Sequence, residues 1–144
     1  MAGAASGVAV GDKCVETFLE LKKARTHQYV VYKIDMAAGE VVIDKVGDKG
    51  AAYDEFTAYL LSEAPQDCRY AVYDYSFTDG EGCQKSKIVF IAWSPDDSKV
   101  KNKMLYAASK DKFRQCLDGV QIEMQATDAS EIDIKEVQQK IASV

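Results

Sequence analysis

The sequence predicts an α/β domain of the α+β kind, with one mixed sheet of about five strands between two layers of helices. Three observations lead there. Segments of helical and strand periodicity follow one another as α-ββ-α-ββ-α-β-α, with no repeat, linker or low-complexity stretch between them. The run Ile88-Val89-Phe90-Ile91-Ala92-Trp93 is apolar throughout rather than alternating, as in a strand covered on both faces. Finally, 144 residues can enclose a core. Area scaling gives about 7,300 Å² folded against roughly 23,000 Å² unfolded, so burial needs no disulfide or metal staple.

Residues 1–11, MAGAASGVAVG, are small and uncharged and read as a flexible tail, with 12–144 as a single domain. Asp12 is placed to cap a first helix reaching about Ala24, with Val15, Phe18 and Leu19 on its buried face. Tyr29 to Ile34 and Val41 to Ile43 form a hairpin about Ala38-Gly39. A short helix then presents Ala52, Phe56, Tyr59 and Leu60, and Pro65 ends it. Arg69 to Tyr75 and Lys87 to Trp93 are a second strand pair, joined by the polar loop 76–86. Ser94-Pro95-Asp96-Asp97 has the chemistry of a helix start, with a capping hydroxyl, a first-turn proline and two acids facing the dipole. The long helix it opens runs past Lys110 and bends near Ser109, and Gly119 ends it. Val120 to Met124 alternates like an edge strand, and Ser130-x-x-Asp133 is placed to cap a last helix striped with Ile134, Val137 and Ile141.

Composition narrows function mainly by exclusion. The chain is 47% hydrophobic and 28% charged with two prolines, which excludes a long disordered chain, a collagen and a disulfide-framework toxin. No apolar run approaches the length of a membrane helix, and the N-terminus lacks a signal-peptide pattern, so a soluble intracellular protein is expected. The net charge of −5 argues against bulk nucleic-acid binding. Cys14, Cys68, Cys83 and Cys116 are too far apart for CxxC chemistry and read as reduced thiols. His27 is the single histidine and reads as a strand-entry residue, which leaves neither a triad nor a histidine metal site. Gly80-Glu81-Gly82 is a turn rather than a nucleotide loop, and no GxxxxGK[ST], HExxH, GxSxG or EF-hand series occurs. Neither catalysis, a cofactor nor a metal is expected.

The lysines carry more information. At 100° per residue Lys99, Lys103, Tyr106 and Lys110 share an arc of about 60° on the long helix. Val100, Met104, Ala107 and Ala108 lie on a separate face, the expected core side. A cationic stripe interrupted by an aromatic suits an acidic partner, although a solvated surface face has the same pattern. Lys101 points well away from Lys103. Lys85-Ser86-Lys87 is a second cluster, and Lys22-Lys23-Ala24-Arg25 resembles a short nuclear-import patch.

The ordered segments together resemble the actin-depolymerising factor/cofilin family, its plant-type members in particular. They are Phe18-Leu19-Glu20-Leu21-Lys22, Cys68 to Asp74, Lys85 to Phe90, Trp93 to Asp96, Lys103 to Asp111, Leu117-Asp118-Gly119-Val120 and Gln125-Ala126-Thr127-Asp128. The resemblance implies an ADF-homology domain that binds monomeric and filamentous actin, promotes severing and depolymerisation, and does no chemistry of its own. It assigns the monomer surface to Ser6, Gly7, Lys101, Lys103, Met104, Lys110 and Asp128, and a filament-only surface to Lys85, Lys87 and the last helix, where Lys140 matches in charge. Actin is acidic, so lysines on a rigid helix would steer and orient it, and Met104 would add an adaptable apolar contact.

The resemblance also implies regulation. Phosphate on Ser6 would add about −1.5 to −2 charges and switch binding off. Phosphoinositide headgroups would compete for the same lysines without anchoring the chain in a membrane. A monomeric, cytoplasmic, cytoskeletal protein is expected, and the patch at Lys22 to Arg25 leaves entry to the nucleus open. One departure stands out: Gln138-Gln139-Lys140 replaces the acid-plus-arginine set of many relatives. Two alternatives follow, a monomer-binding protein that severs weakly and a phosphoinositide-responsive adaptor.

Overall fold

Two antiparallel hairpins occupy the middle of the sheet because their strands alternate between two apolar faces. The computed structural model describes residues 7–142. Its strands are β1 (Ala9–Val10), β2 (His27–Asp35), β3 (Glu40–Asp48), β4 (Arg69–Thr78), β5 (Gln84–Trp93) and β6 (Ile122–Ala126). Its helices are α1 (Asp12–Leu19), α2 (Tyr53–Glu63), α3 (Val100–Gln115) and α4 (Ile134–Ala142). The sheet order is β1-β3-β2-β4-β5-β6. The two outermost pairings, β1 on β3 and β6 on β5, are parallel and the rest antiparallel, so the sheet is mixed as expected.

The sheet has six strands rather than five. The additional one falls in the segment read as a tail: Ala9 N–H donates to the Gly39 carbonyl and Gly11 N–H to that of Val41, both at 3.0 Å, and Val8 is buried. A two-residue strand is too short to have a periodicity.

The even-numbered residues of the central strands face one core and the odd-numbered ones the other. Tyr32, Tyr70, Val72 and Phe90 pack with Phe18 of α1 and with Tyr106 and Phe113 of α3. Tyr29, Tyr73, Val89 and Ile91 pack with Phe56 and Leu60 of α2 and Val137 of α4. The apolar run 88–93 is therefore covered on both sides, which is why it does not alternate. The polar tips of two buried aromatic rings have partners: Trp93 Nε1 donates to the Ala64 carbonyl and Tyr53 OH to that of Ile132, each at 2.8 Å.

Several boundaries differ from the sequence reading. Gly11, not Asp12, precedes the first turn of α1, and a π-helical turn continues it over Glu20–Ala24. The buried stripe is Cys14, Phe18 and Leu21, while Leu19 is exposed and Val15 only half-buried. Strands β4 and β5 extend through most of the predicted loop, leaving a turn of 79–83 in which the Asp79 carboxylate accepts from the Glu81 and Cys83 amides at 2.9 Å. Residues 94–98 do not begin the long helix. The amides of Ser94 and Asp96 are held by the carbonyls of Ala126 and Thr127, at 2.9 and 3.2 Å, so the chain follows the end of β6 before it coils at Val100. Ser130 lies in a short 3-10 turn, and it is Asp133 whose Oδ1 accepts from the Lys135 amide at the start of α4.

Candidate functional site

Helix α3 is oriented by its aromatic side chains. Tyr106, Ser109 and Phe113 are buried, and the Tyr106 hydroxyl accepts from the Ile34 amide at 2.8 Å. The β2–β4 ladder ends at Tyr32, so Ile34 has no strand partner on that side and the phenol supplies one. This reverses the expected face. Val100 and Met104 are 70% and 66% exposed, and Ala107 and Ala108 are exposed with them. Tyr106, expected in the outward stripe, is in the core. A phenol with a buried partner gains more from burial than an alanine or a lone methionine, so it sets the rotation of the helix.

The exposed face continues onto the β2–β3 turn. Met36, 53% exposed, joins Lys101, Asn102, Met104, Leu105 and Ala108 around an open groove of about 480 Å³. An exposed apolar strip edged by a lysine is the composition of an interaction surface rather than of a solvated helix face. Lys103 and Lys110 lie on the other flank, lining a cleft of about 380 Å³ against β5 and β6. There Lys103 Nζ donates to the Asp96 carbonyl at 2.7 Å, and Lys110 pairs with Glu123 at 3.4 Å.

Asp128 belongs to the corner beside Lys103. Its carboxylate accepts from Ser130 Oγ at 2.6 Å and from the Glu131 amide at 3.1 Å, and these bonds hold it below the ordinary aspartate range. The Glu131 carboxylate in turn accepts from the Thr127 amide at 2.6 Å, so the corner is closed from both sides in the manner of a capping box. Gly7 is exposed, and Lys112 Nζ donates to the adjacent Val8 carbonyl at 3.3 Å, which places the start of the described chain against the later turns of α3. Ser6 lies outside the described residues.

A second surface forms on the opposite side of the sheet. Lys85 and Lys87 line a groove of about 580 Å³ with Tyr75 and Phe77 of β4 and Gln138 and Ile141 of α4. Lys85 is paired with Asp79 at 3.1 Å. Lys140 is exposed in the last turn of α4, outside that lining. Reading the sequence missed Met36 and Val100, whose apolarity suggests core, and Tyr75 and Phe77, which lie on or beside a segment that reads as loop.

Among the described residues no cluster of three or more His, Cys, Asp or Glu could hold a metal, and no helix is long and apolar enough to cross a membrane. His27 opens β2 and lies 3.1 Å from Glu20. Cys14 and Cys68 are buried, and burial pushes the Cys14 thiol up to about 11, while Cys83 is exposed.

Comparison with known proteins gives a consistent picture. Residues 7–142 match the model of the family described as cofilin/tropomyosin-type actin-binding protein. Actin-depolymerizing factor 1 of Arabidopsis thaliana is 54% identical over 134 residues, 93% of this chain and 94% of that one. Actin-depolymerizing factor 10 of the same plant is 56% identical over 135 residues, with the same coverage. The crystal structure of Streptomyces griseoflavus cofilin superposes with a TM-score of 0.86 at 36% identity, covering 95% of this chain and 98% of that chain.

Proposed function

The chain belongs to the ADF/cofilin family, and from that premise we propose that it binds monomeric and filamentous actin and promotes filament severing and depolymerisation. The observation that supports the reading most directly is the outward face of α3, where Val100, Lys101 and Met104 stand exposed on a rigid helix. The apolar atoms supply area to bury and the lysine supplies steering and orientation toward an acidic partner. On this reading the monomer surface is that face together with Gly7, Ser6 and the Asp128 corner, with Lys103 and Lys110 at its flank. The filament surface is Lys85 and Lys87 with α4 and Lys140. The protein acts by binding alone, among cytoskeletal filaments and with access to the nucleus. A phosphate on Ser6 and phosphoinositide headgroups on the lysines would both oppose actin.

Co-sedimentation with filamentous actin tests the reading. Protein in the pellet together with actin released to the supernatant is the expected result. A folded protein that does neither would exclude the function.

Gln138 and Gln139 support a second reading, in which the chain captures monomers but severs poorly. Filament-severing microscopy separates the two: breaks per unit length well below those of a relative with a charged last helix, at equal monomer affinity, would favour capture.

A further inference from the structure

Lys85 and Lys87 stand on a hairpin end that, among the described residues, has no neighbouring strand on either side. The β2–β4 ladder ends at the pair Tyr29–Tyr73, and the β5–β6 ladder begins at Val89–Ile122. Between those limits the two strands have only each other as ladder partners, from Asp74–Ile88 to Thr78–Gln84. At the base the Gln28 side-chain amide donates to the Asp74 carbonyl and the Gln121 backbone amide to that of Ile88, and residues 75–78 and 84–87 extend past these ties. They form a two-stranded ribbon projecting beyond its neighbours. Such ribbons twist more freely than strands inside a sheet and are marginal by themselves. The direction in which the two lysines point therefore depends on what holds the base of the ribbon.

Arg25 holds it from the face opposite the lysines. Its guanidinium pairs with Asp74 Oδ2 at 3.0 Å through Nη2 and donates to Ser86 Oγ at 3.3 Å through Nη1, bridging both strands at once. The Asp74 side chain is only 7% exposed, so the strand end of this bridge is fixed. The other end is fixed by the backbone. Arg25 closes the π-helical turn after α1 with φ 57 and ψ 37, and its amide donates to the Glu20 carbonyl. It is the only non-glycine residue with positive φ among the described residues. Glycine suits that conformation best, yet the position carries the one side chain whose planar fork reaches two acceptors. On the lysine face the corresponding tie is weaker, a 3.4 Å bond from Gln138 to Tyr75 OH.

We propose that Arg25 is a positioning residue for the filament-side surface: by bridging Asp74 and Ser86 it sets the pitch of the projecting ribbon that presents Lys85 and Lys87. This rests on the reading of those lysines as filament contacts. Arg25 touches the ribbon from behind and acts through it. The loss it controls is therefore specific to filaments, because the groups it ties, Asp74 and Ser86, belong to the ribbon and none belongs to α3.

Arg25→Gly, Asp74→Asn and the double variant Lys85→Ala with Lys87→Ala test this in the full chain. Each is measured for monomer affinity, filament co-sedimentation, thermal midpoint and backbone amide order by NMR. Arg25→Gly is expected to lower the midpoint, because relief of the positive φ does not offset leaving the buried Asp74 carboxylate without its partner. Both single variants are expected to keep monomer affinity and to lose filament affinity by about five- to tenfold, with lower amide order at 76–86 and unchanged order in the core strands. If the lysine variant loses filament binding while Arg25→Gly does not, the positioning role is overturned and the filament reading stands. If Arg25→Gly loses binding but Asp74→Asn does not, Arg25 is a direct contact and the inference is wrong. Equal losses on monomers and filaments would make the bridge a general stabiliser, which also overturns it. If none of the variants changes filament binding, the ribbon is not a filament surface and both readings fall.

Discussion

Tyr106 and Ile34, 72 positions apart in the chain, are joined by a hydrogen bond of 2.8 Å from the Ile34 amide to the phenol oxygen. This contact decides which side of α3 is outermost, since it ties the helix to a strand where the ladder has ended. Replacing the phenol with a phenyl ring would keep the packing and leave a buried amide without a partner.

Tyr106→Phe is accordingly expected to destabilise the fold by about 1–3 kcal/mol, the penalty of an unsatisfied buried donor. Urea unfolding measures it. A variant as stable as the parent would show that the amide finds another acceptor and that packing alone orients α3.

The rotation of α3 ranks its lysines. Lys101→Ala and Met104→Ala are each expected to raise the Kd for monomeric actin about five- to tenfold, with unchanged unfolding midpoints. Lys103→Ala and Lys110→Ala are expected to change it less than about twofold, because their ammonium groups already bond Asp96 and Glu123. Titration of labelled monomer gives the four values. The opposite ranking would place the contact in the cleft beside β6 rather than on the outer face.

Gly47 lies opposite Tyr29 in the β2–β3 register, and a Cβ there would meet the buried Tyr29 ring at 2.1 Å. Gly47→Ala is expected to cost about 1–3 kcal/mol or more, as overpacking of a full core does. The ring is stacked on Tyr73 at 6.2 Å and has little freedom to retreat. Denaturant midpoints test this, and an unchanged midpoint would mean that the ring shifts freely.

Acid sensitivity follows from two hydrogen-bonded turn carboxylates, the half-buried Asp79 and the exposed Asp128. Asp79 is held below the ordinary aspartate range by the Cys83 amide, the Lys85 ammonium and the Glu81 amide, and Asp128 by Ser130 Oγ and the Glu131 amide. A folded-state pKa below the unfolded one contributes stability that is complete above the unfolded aspartate value of about 3.9 and is lost as pH falls below it. Unfolding free energy is thus expected to decline below about pH 4, and Asp79→Asn to flatten the decline. An equal slope in the variant would show that the turn bonds do not distinguish the ionised form.

The two central hairpins and both helix layers are legible in the sequence because the β-branched and aromatic residues of Tyr29 to Ile34 mark a strand and the unbroken apolar run 88–93 reports burial on both faces. The rotation of α3 is not legible. Apolar periodicity identifies a face without saying whether protein or partner covers it, and Val100 with Met104 has the pattern of a core stripe. Tyr106 is singled out correctly as the unusual member of its arc, but only the strand that ends beside it shows that the ring turns inward. Residues 76–86, the outer part of the ribbon, read as loop for a related reason. Strands that project into solvent have no second layer to impose alternation, so Ser76, Thr78 and Gln84 resemble turn residues. The assignment of Ser6 comes from resemblance alone.

The sheet separates the outward face of α3 from the groove beside α4, with helices packed on its two sides. That makes the domain a caliper: about 20 Å of close-packed protein lies between the two helix axes, and such an interior scarcely compresses. On the reading of both faces as docking surfaces, a partner offering points at that separation would be gripped by both jaws with the second contact intramolecular, and the affinities would combine far beyond either alone. A partner whose docking points are closer or further apart must itself deform to be held. With the ribbon held at its base, such a gauge would transfer its own spacing to a more compliant object.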